Sequence, residues 1–431
     1  MEDLLIGAGF GSMTEALRVL TQHVHSVLPR PPVDSAAHLS FAAAASAPDG
    51  VDHISRLPDF ILRNVVSRLP VKDAARTIVL SHRWRRVWSS APLVLVDAHL
   101  LLPAVVRRYH EVDLVVQVSH ALASHPGPFQ CVYLTRTTME DVQPAEIANW
   151  VQLLASKGVQ DLVCVNRARR LHSDLELPAA IYECKHLSRM YLGFWRLPKT
   201  TTATLPPAPW FPYLRELGLC SVNMDDRDLA ILLEQCPSLA KLLINANRKP
   251  LCVTIRSPSL ECLELCTAIV PDIQLRNAPR LRRLLIWHPC GGKGLTCMSQ
   301  TVRVSVATNL RILGFLVPGT HRLEIGATEI KVCFDPSTLS ICTCRTLQIL
   351  YANQLLFVSV SDSAETMHHG PKCGDARSAS EAWNSQGSDN VACLLEVFSQ
   401  CEDALCTGKI WPNLLFFFSD QRRMQLLFNM L

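Results

Sequence analysis

Val51–Pro92 reads VDHISRLPDFILRNVVSRLPVKDAARTIVLSHRWRRVWSSAP. Leu57-Pro58-Asp59 opens a helix, because a proline in the first turn forfeits no intrahelical hydrogen bond and the Asp59 carboxylate suits the positive helix start. Apolar residues then recur at Ile61, Leu62, Val65, Val66 and Leu69, one face of that helix. Leu69-Pro70 stops it, since the residue before proline is pushed out of the α region, and Val71-Lys72-Asp73 begins a second helix through Ala74, Ala75, Ile78 and Val79. The end is basic and Trp-rich, with Trp84 and Trp88 on one face and arginine stems between them. Three helices this short do not enclose a core of their own. Part of their apolar surface has to be covered by the domain that follows or by another chain.

On Leu57-Pro58, Ile61-Leu62, Leu69-Pro70-Val71-Lys72-Asp73 and the Leu80-(x3)-Trp84-Arg85 ending, this stretch resembles the F-box, the module by which substrate receptors dock on the Skp1 adaptor of SCF ubiquitin ligases. One departure is Ser81-His82-Arg83, where many members have Cys-Lys-Arg. The resemblance implies a Skp1-like adaptor as partner and, through it, a cullin. The expected docking residues are Leu57, Pro58, Ile61, Leu62, Leu69, Pro70, Val79, Leu80 and Trp84, apolar anchors with the two prolines fixing the turns.

Downstream, the pattern Leu-x-x-Leu-x-Leu, with other apolar residues allowed, starts at Leu187, Leu214, Leu239, Leu260, Leu281 and Leu310. The starts are 27, 25, 21, 21 and 29 residues apart, within the period of leucine-rich repeats, and a weaker copy starts at Leu162. Alternation along each short strand sends the leucines inward and the intervening side chains outward, so the strands should stack into one parallel sheet lining a solenoid. The connecting segments differ in kind. Met224–Cys236 reads as a helix, whereas Leu251–Ile255 and Asp272–Leu275 alternate like strands on the outer side. Irregular repeats of this kind resemble those of plant F-box proteins with leucine-rich repeats. That family often carries a C-terminal FBD segment, which is not recognisable in this tail.

The fold expected is therefore α/β, a three-helix F-box followed by an irregular leucine-rich-repeat solenoid. Its parts are an N-terminal arm over 1–50, the F-box over 51–92, a connecting segment over 93–130, repeats over 131–350 and an atypical, partly disordered tail over 351–431. In the arm, Met13, Ala16, Leu17, Leu20, Val24 and Val27 predict an amphipathic helix from about Ser12 to Leu28, which packs on the F-box, binds a partner or is partly disordered. Ser361–Asn390 is polar and reads as disordered. If the repeats bind a target, the outward strand positions form the surface: Arg189, Tyr191, Glu216, Lys241, Leu243, Glu264, Arg283, Leu285 and Trp287. Their mixed charge favours a protein or peptide target over a polyanion.

Composition narrows the function classes. The chain has 431 residues and a net charge of +4, with its arginines scattered, and this requires no nucleic-acid partner. No run approaches the roughly 18 apolar residues of a membrane span, and Glu2 and Asp3 stand where a secretory signal is basic. Seventeen cysteines without a paired CxxC set or an Asn-x-Ser/Thr site fit a reducing compartment, cytoplasmic or nuclear. No metal is expected: Cys262 with Cys266, Cys342 with Cys344, and the His368-His369-Cys373 group each lack a matching ligand pair. No phosphate loop, GxSxG elbow or HExxH appears, so neither a catalytic residue nor a cofactor is assigned. Two readings follow: an adaptor that presents a target for ubiquitination, or a repeat scaffold or receptor that uses no ubiquitin ligase.

Overall fold

The structure is a computed structural model that describes residues 12–33, 53–101, 110–167, 175–200, 208–245, 252–266, 272–287, 300–305, 309–310, 312–316, 321–325, 328–331, 347–352 and 355–360. Ser361–Asn390, His368, His369, Cys342, Cys344 and Cys373 lie outside the described residues.

After helix α1 (Met13–Ser26) the chain enters three short helices, α2 (Asp59–Ser67), α3 (Val71–Arg76) and α4 (His82–Ser90). The sequence sets their starts. Pro58 and Pro70 precede α2 and α3, and each proline carbonyl accepts two of the first helical N–H groups at 2.8–3.1 Å. Ser81 caps α4 with its hydroxyl facing the Trp84 N–H at 3.4 Å. The shortage of core in this helical unit is met from downstream. Leu62, Val66, Val71, Ala74, Trp84 and Val87 belong to the same apolar core as Leu93 and Leu95 of β1 (Leu93–Val96). Lys72 adds a tie by donating from Nζ to the Leu100 carbonyl at 2.8 Å.

The rest is a mixed α/β arrangement around a largely parallel sheet. From β1 it continues through β2 (Phe129–Leu134), β3 (Asp161–Val165), β4 (Arg189–Gly193), β5 (Glu216–Cys220) and β6 (Lys241–Asn245). The next neighbour of β6 is not β7 (Cys252–Arg256) but β8 (Cys262–Cys266). There β7 starts a second sheet, with β9 (Asp272–Asn277) beside it, while β10 (Arg283–Trp287) extends the first. In turn β11 (Gln300–Val304) joins the second sheet and β12 (Ile312–Leu316) the first. The second sheet ends in the antiparallel pair β13 (His321–Ile325) and β14 (Thr328–Lys331), and the first in the hairpin β15 (Leu347–Ala352) and β16 (Leu355–Val360).

Chain length between strands decides what crosses back. The longer early connections hold helices α5 (His110–Ser124), α6 (Pro144–Ser156) and α7 (Asp226–Glu234). The 21-residue repeats have too few residues for one, since a helix advances about 1.5 Å per residue and a strand about 3.3 Å. These repeats return as extended β7 and β9, whose Val253, Ile255, Ile273 and Leu275 close the same core as Leu263 and Leu265.

Register corrects one repeat boundary. Leu162 pairs with Met190 and therefore occupies the second core position of its copy, so that copy starts at buried Val159, 28 residues before Leu187. Val132 pairs with Leu162 in turn, so β2 supplies the same layer of the core. Helix α1 packs on the sheet rather than on the F-box helices. Leu17, Val19, Leu20 and Val24 form a second apolar cluster with the outward side chains of β1–β6.

Candidate functional site

The residues expected to make contacts fall on two parts of the molecule. The first lies on the short helices. Val79 and Leu80, at the end of the 3-10 turn Thr77–Val79, are 85% and 61% exposed, and Phe60 on α2 is 62% exposed. Ile54 and Val65 are exposed as well, so five large apolar side chains of one small module face solvent. Isolated apolar residues on a surface are ordinary, whereas all five of these fall between Ile54 and Leu80.

The expected docking residues divide into three groups. Pro58, Val79 and Leu80 are exposed; Leu57, Ile61, Leu69 and Pro70 are half-buried; Leu62 and Trp84 are buried in the shared core. The last two hold the module in shape from within and present no surface as the chain is folded. Phe60, Val65 and Ile54 were absent from the expected set. Phe60 carried a usable signal, being a large apolar side chain beside Asp59 and off the stripe that α2 buries. The frame behind this face is polar. Arg83 pairs with Asp59 at 2.7 Å and also donates to the Leu57 carbonyl, which links the start of α2 to α4.

The second surface is the outward face of the sheet, where the expected target stripe falls. At the first and third strand positions its charges alternate and satisfy one another. The Arg189 guanidinium stands 3.2 Å from Glu216 and 3.9 Å from Asp161, and Lys241 Nζ stands 2.9 Å from Glu264. Burial works against both cations, yet these carboxylates hold Arg189 and Lys241 above their ordinary values. Tyr191 donates to Glu216 at 3.5 Å, and burial, then Glu216 and Glu264, pushes its phenol well above the usual range.

Much of this face is covered. Tyr191 and Leu243 are buried in the cluster under α1, together with Val163, Val165 and Cys220. Arg283 and Leu285 are half-buried on β10. Trp287 belongs to β10, where its backbone pairs with Cys266, and its side chain lies outside the described residues. Residues the sequence reading missed here are His23 and Asn245. Both are buried, and His23 Nε2 lies 2.9 Å from Asn245 Oδ1. A polar residue inside an otherwise apolar helix stripe was the available sign of His23; nothing local marked Asn245 as its partner.

Eight cysteines among the described residues are free thiols, and burial pushes those of Cys131, Cys164, Cys184, Cys220, Cys236 and Cys262 up to about 12, so they remain protonated and unreactive at neutral pH. Among the described residues, no group of three or more His, Cys, Asp or Glu could hold a metal ion, and no helix is long and apolar enough to cross a membrane.

Comparison with known proteins matches both parts. The F-box domain family matches residues 54–95, and the leucine-rich repeats of FBD-associated F-box protein At5g56370 match residues 147–359. F-box/FBD/LRR-repeat protein At1g13570 of Arabidopsis thaliana is 29% identical over 232 residues, 53% of this chain and 52% of the relative. F-box/LRR-repeat protein At3g03360 of the same plant is 27% identical over 63% of this chain and 56% of its own length. F-box/LRR-repeat protein At3g26922, also of Arabidopsis thaliana, is 28% identical over 310 residues, 67% of this chain and 94% of the relative. The chain thus spans about half the length of the first two relatives. An F-box over the short helices and FBD-associated repeats over the sheet place this chain in the family of F-box proteins with leucine-rich repeats.

Proposed function

We propose that this protein is the substrate-receptor subunit of an SCF-type E3 ubiquitin ligase, with the F-box of residues 51–92 docked on a Skp1-like adaptor and, through it, on a cullin. The repeats of residues 131–350, read as a solenoid, hold a target protein. The chain itself is a non-catalytic adaptor. It accelerates ubiquitin transfer by raising the effective concentration of the target beside the transferring enzyme.

The observation that carries this reading is the exposed group Phe60, Val65, Val79 and Leu80 on a module whose other side is already covered by the sheet core. A helical unit that merely capped the repeats has no use for these exposed apolar side chains. Interface energy concentrates in a few such anchors, and Leu57, Pro58, Ile61, Leu69 and Pro70 frame them, while Leu62 and Trp84 keep their backbone in place.

The test is calorimetric titration of the full chain with purified Skp1, beside a Val79→Asp/Leu80→Asp variant. Saturable binding by the native chain, weakened at least a hundredfold in the variant at unchanged thermal stability, is the expected result. No binding by the native chain, or equal binding by both, rejects the adaptor reading.

A further inference from the structure

The sheet face assigned above to target binding already holds a helix. Leu17, Leu20 and Val24 of α1 recur at three- and four-residue spacing and are buried with Val165, Tyr191 and Leu243 of three strands. This is the contact pattern of an amphipathic helix laid in a groove. The floor is shaped for it. A Cβ on Gly218 would stand 2.2 Å from Tyr191 Cδ1, and one on Gly193 would stand 2.8 Å from Val165 Cγ1, so both bulky side chains fill space that only glycine leaves. The buried His23–Asn245 hydrogen bond sets which turn of the helix meets β6. The charges bordering the groove are paired with one another, as Arg189 with Glu216 and Lys241 with Glu264, which leaves apolar area as the main source of attraction on this face.

We propose that this face is a helix-binding groove which α1 fills within the chain, and that an amphipathic helix of the target protein takes its place. The matching target helix carries apolar residues at i, i+3 and i+7, as Leu17, Leu20 and Val24 do, with a hydrogen-bonding side chain just before the last of them, as His23 does. Helix α1 is then a competitor built into the receptor. The inference rests on the target-receptor reading and names the chemistry of that target.

The probe is a fluorescein-labelled peptide of residues 12–28, titrated against the full chain by fluorescence anisotropy. A Leu17→Asp/Leu20→Asp variant, in which α1 is displaced, should bind the peptide at least tenfold more tightly than the native chain, and adding Leu243→Asp should remove that binding. A folded double variant that binds the peptide no better than the native chain overturns the proposal. Native-state hydrogen exchange on the unmodified chain gives a second decision, independent of whether the variant folds. Amides of α1 should exchange at least tenfold faster than those of β4–β6, whereas equal protection means that α1 leaves only on global unfolding, and the groove is rejected. Skp1 titration of the same samples separates the two readings. Skp1 binding without peptide binding rejects the groove alone, and peptide binding without Skp1 binding rejects the ligase role alone.

Discussion

His23 on α1 and Asn245 at the end of β6, 222 positions apart, share a buried hydrogen bond of 2.9 Å. Burial lowers the His23 pKa to about 4, with the Asn245 bond opposing, so the folded chain holds the neutral imidazole. Burial also lowers His25, and Arg136 and Arg167 add to that. Because the unfolded histidine titrates near 6.5, its contribution is complete above that pH and is lost as pH falls toward 4. Between pH 7 and pH 5 the loss from His23 is about 2 kcal/mol. The check is denaturant unfolding at both pH values. His23→Gln, which keeps a hydrogen-bonding group and does not titrate, should lose about that much less, and identical losses in both proteins contradict the assignment.

The contact between Gly218 and Tyr191 yields a prediction about shape alone. Alanine at 218 pushes its Cβ to 2.2 Å from the Tyr191 ring, which belongs to the cluster under α1. Gly218→Ala should destabilise the chain by about 1–3 kcal/mol, the usual range for overpacking, and speed the exchange of α1 amides. A melting temperature equal to that of the native protein would show that the ring has room to move.

Asp97 follows β1 and is fully buried, and one of its oxygens receives the N–H groups of Thr135, Arg136 and Thr137 and the Thr137 hydroxyl at 2.7–3.0 Å. Burial raises its pKa and these four bonds oppose the rise. Asp97→Ala strands the donors and should cost about 3–5 kcal/mol in denaturant unfolding. Asp97→Asn, which keeps an acceptor oxygen, should cost less; equal costs would show that shape rather than acceptance holds the turn.

Leu62 and Leu80 belong to the same module and should respond oppositely. Leu62 is fully buried, so Leu62→Ala should lose about 2–5 kcal/mol of stability. Leu80→Ala should change stability by less than about 0.5 kcal/mol and weaken Skp1 binding at least tenfold. A loss of stability in Leu80→Ala as large as in Leu62→Ala would erase the distinction between frame and contact face.

These pairs also show where sequence reading succeeds. Pro58, Pro70 and Ser81 act on the backbone within a few residues, so the helix starts were legible. Leu217 with Leu219, and Leu242 with Ile244, stand two apart and share one core, the spacing of a strand. Leu162 reads as the start of its copy because Val159, the residue that register puts first, is not a leucine. Exposure was harder to read than helicity. Val65 and Val66 are adjacent on the apolar stripe of α2, and the position of the neighbouring core decides that Val66 is covered and Val65 is not. The cover over Tyr191 and Leu243 was out of reach for the same reason. The pattern of Leu17, Leu20 and Val24 states that the helix buries one face, but its counterpart lies far along the chain and carries no mark of it.

The long span between His23 and Asn245 has a consequence for how the chain is made. Synthesis delivers α1 more than two hundred residues before β6, which supplies Asn245 and Leu243. The F-box helices need only β1 and its neighbours to cover their inner side and can settle much earlier. During the interval α1 has only the part of its seat that β1–β3 supply, through Val94, Val96, Tyr133 and Val165, and its hold on the sheet is completed when Leu243 and Asn245 arrive.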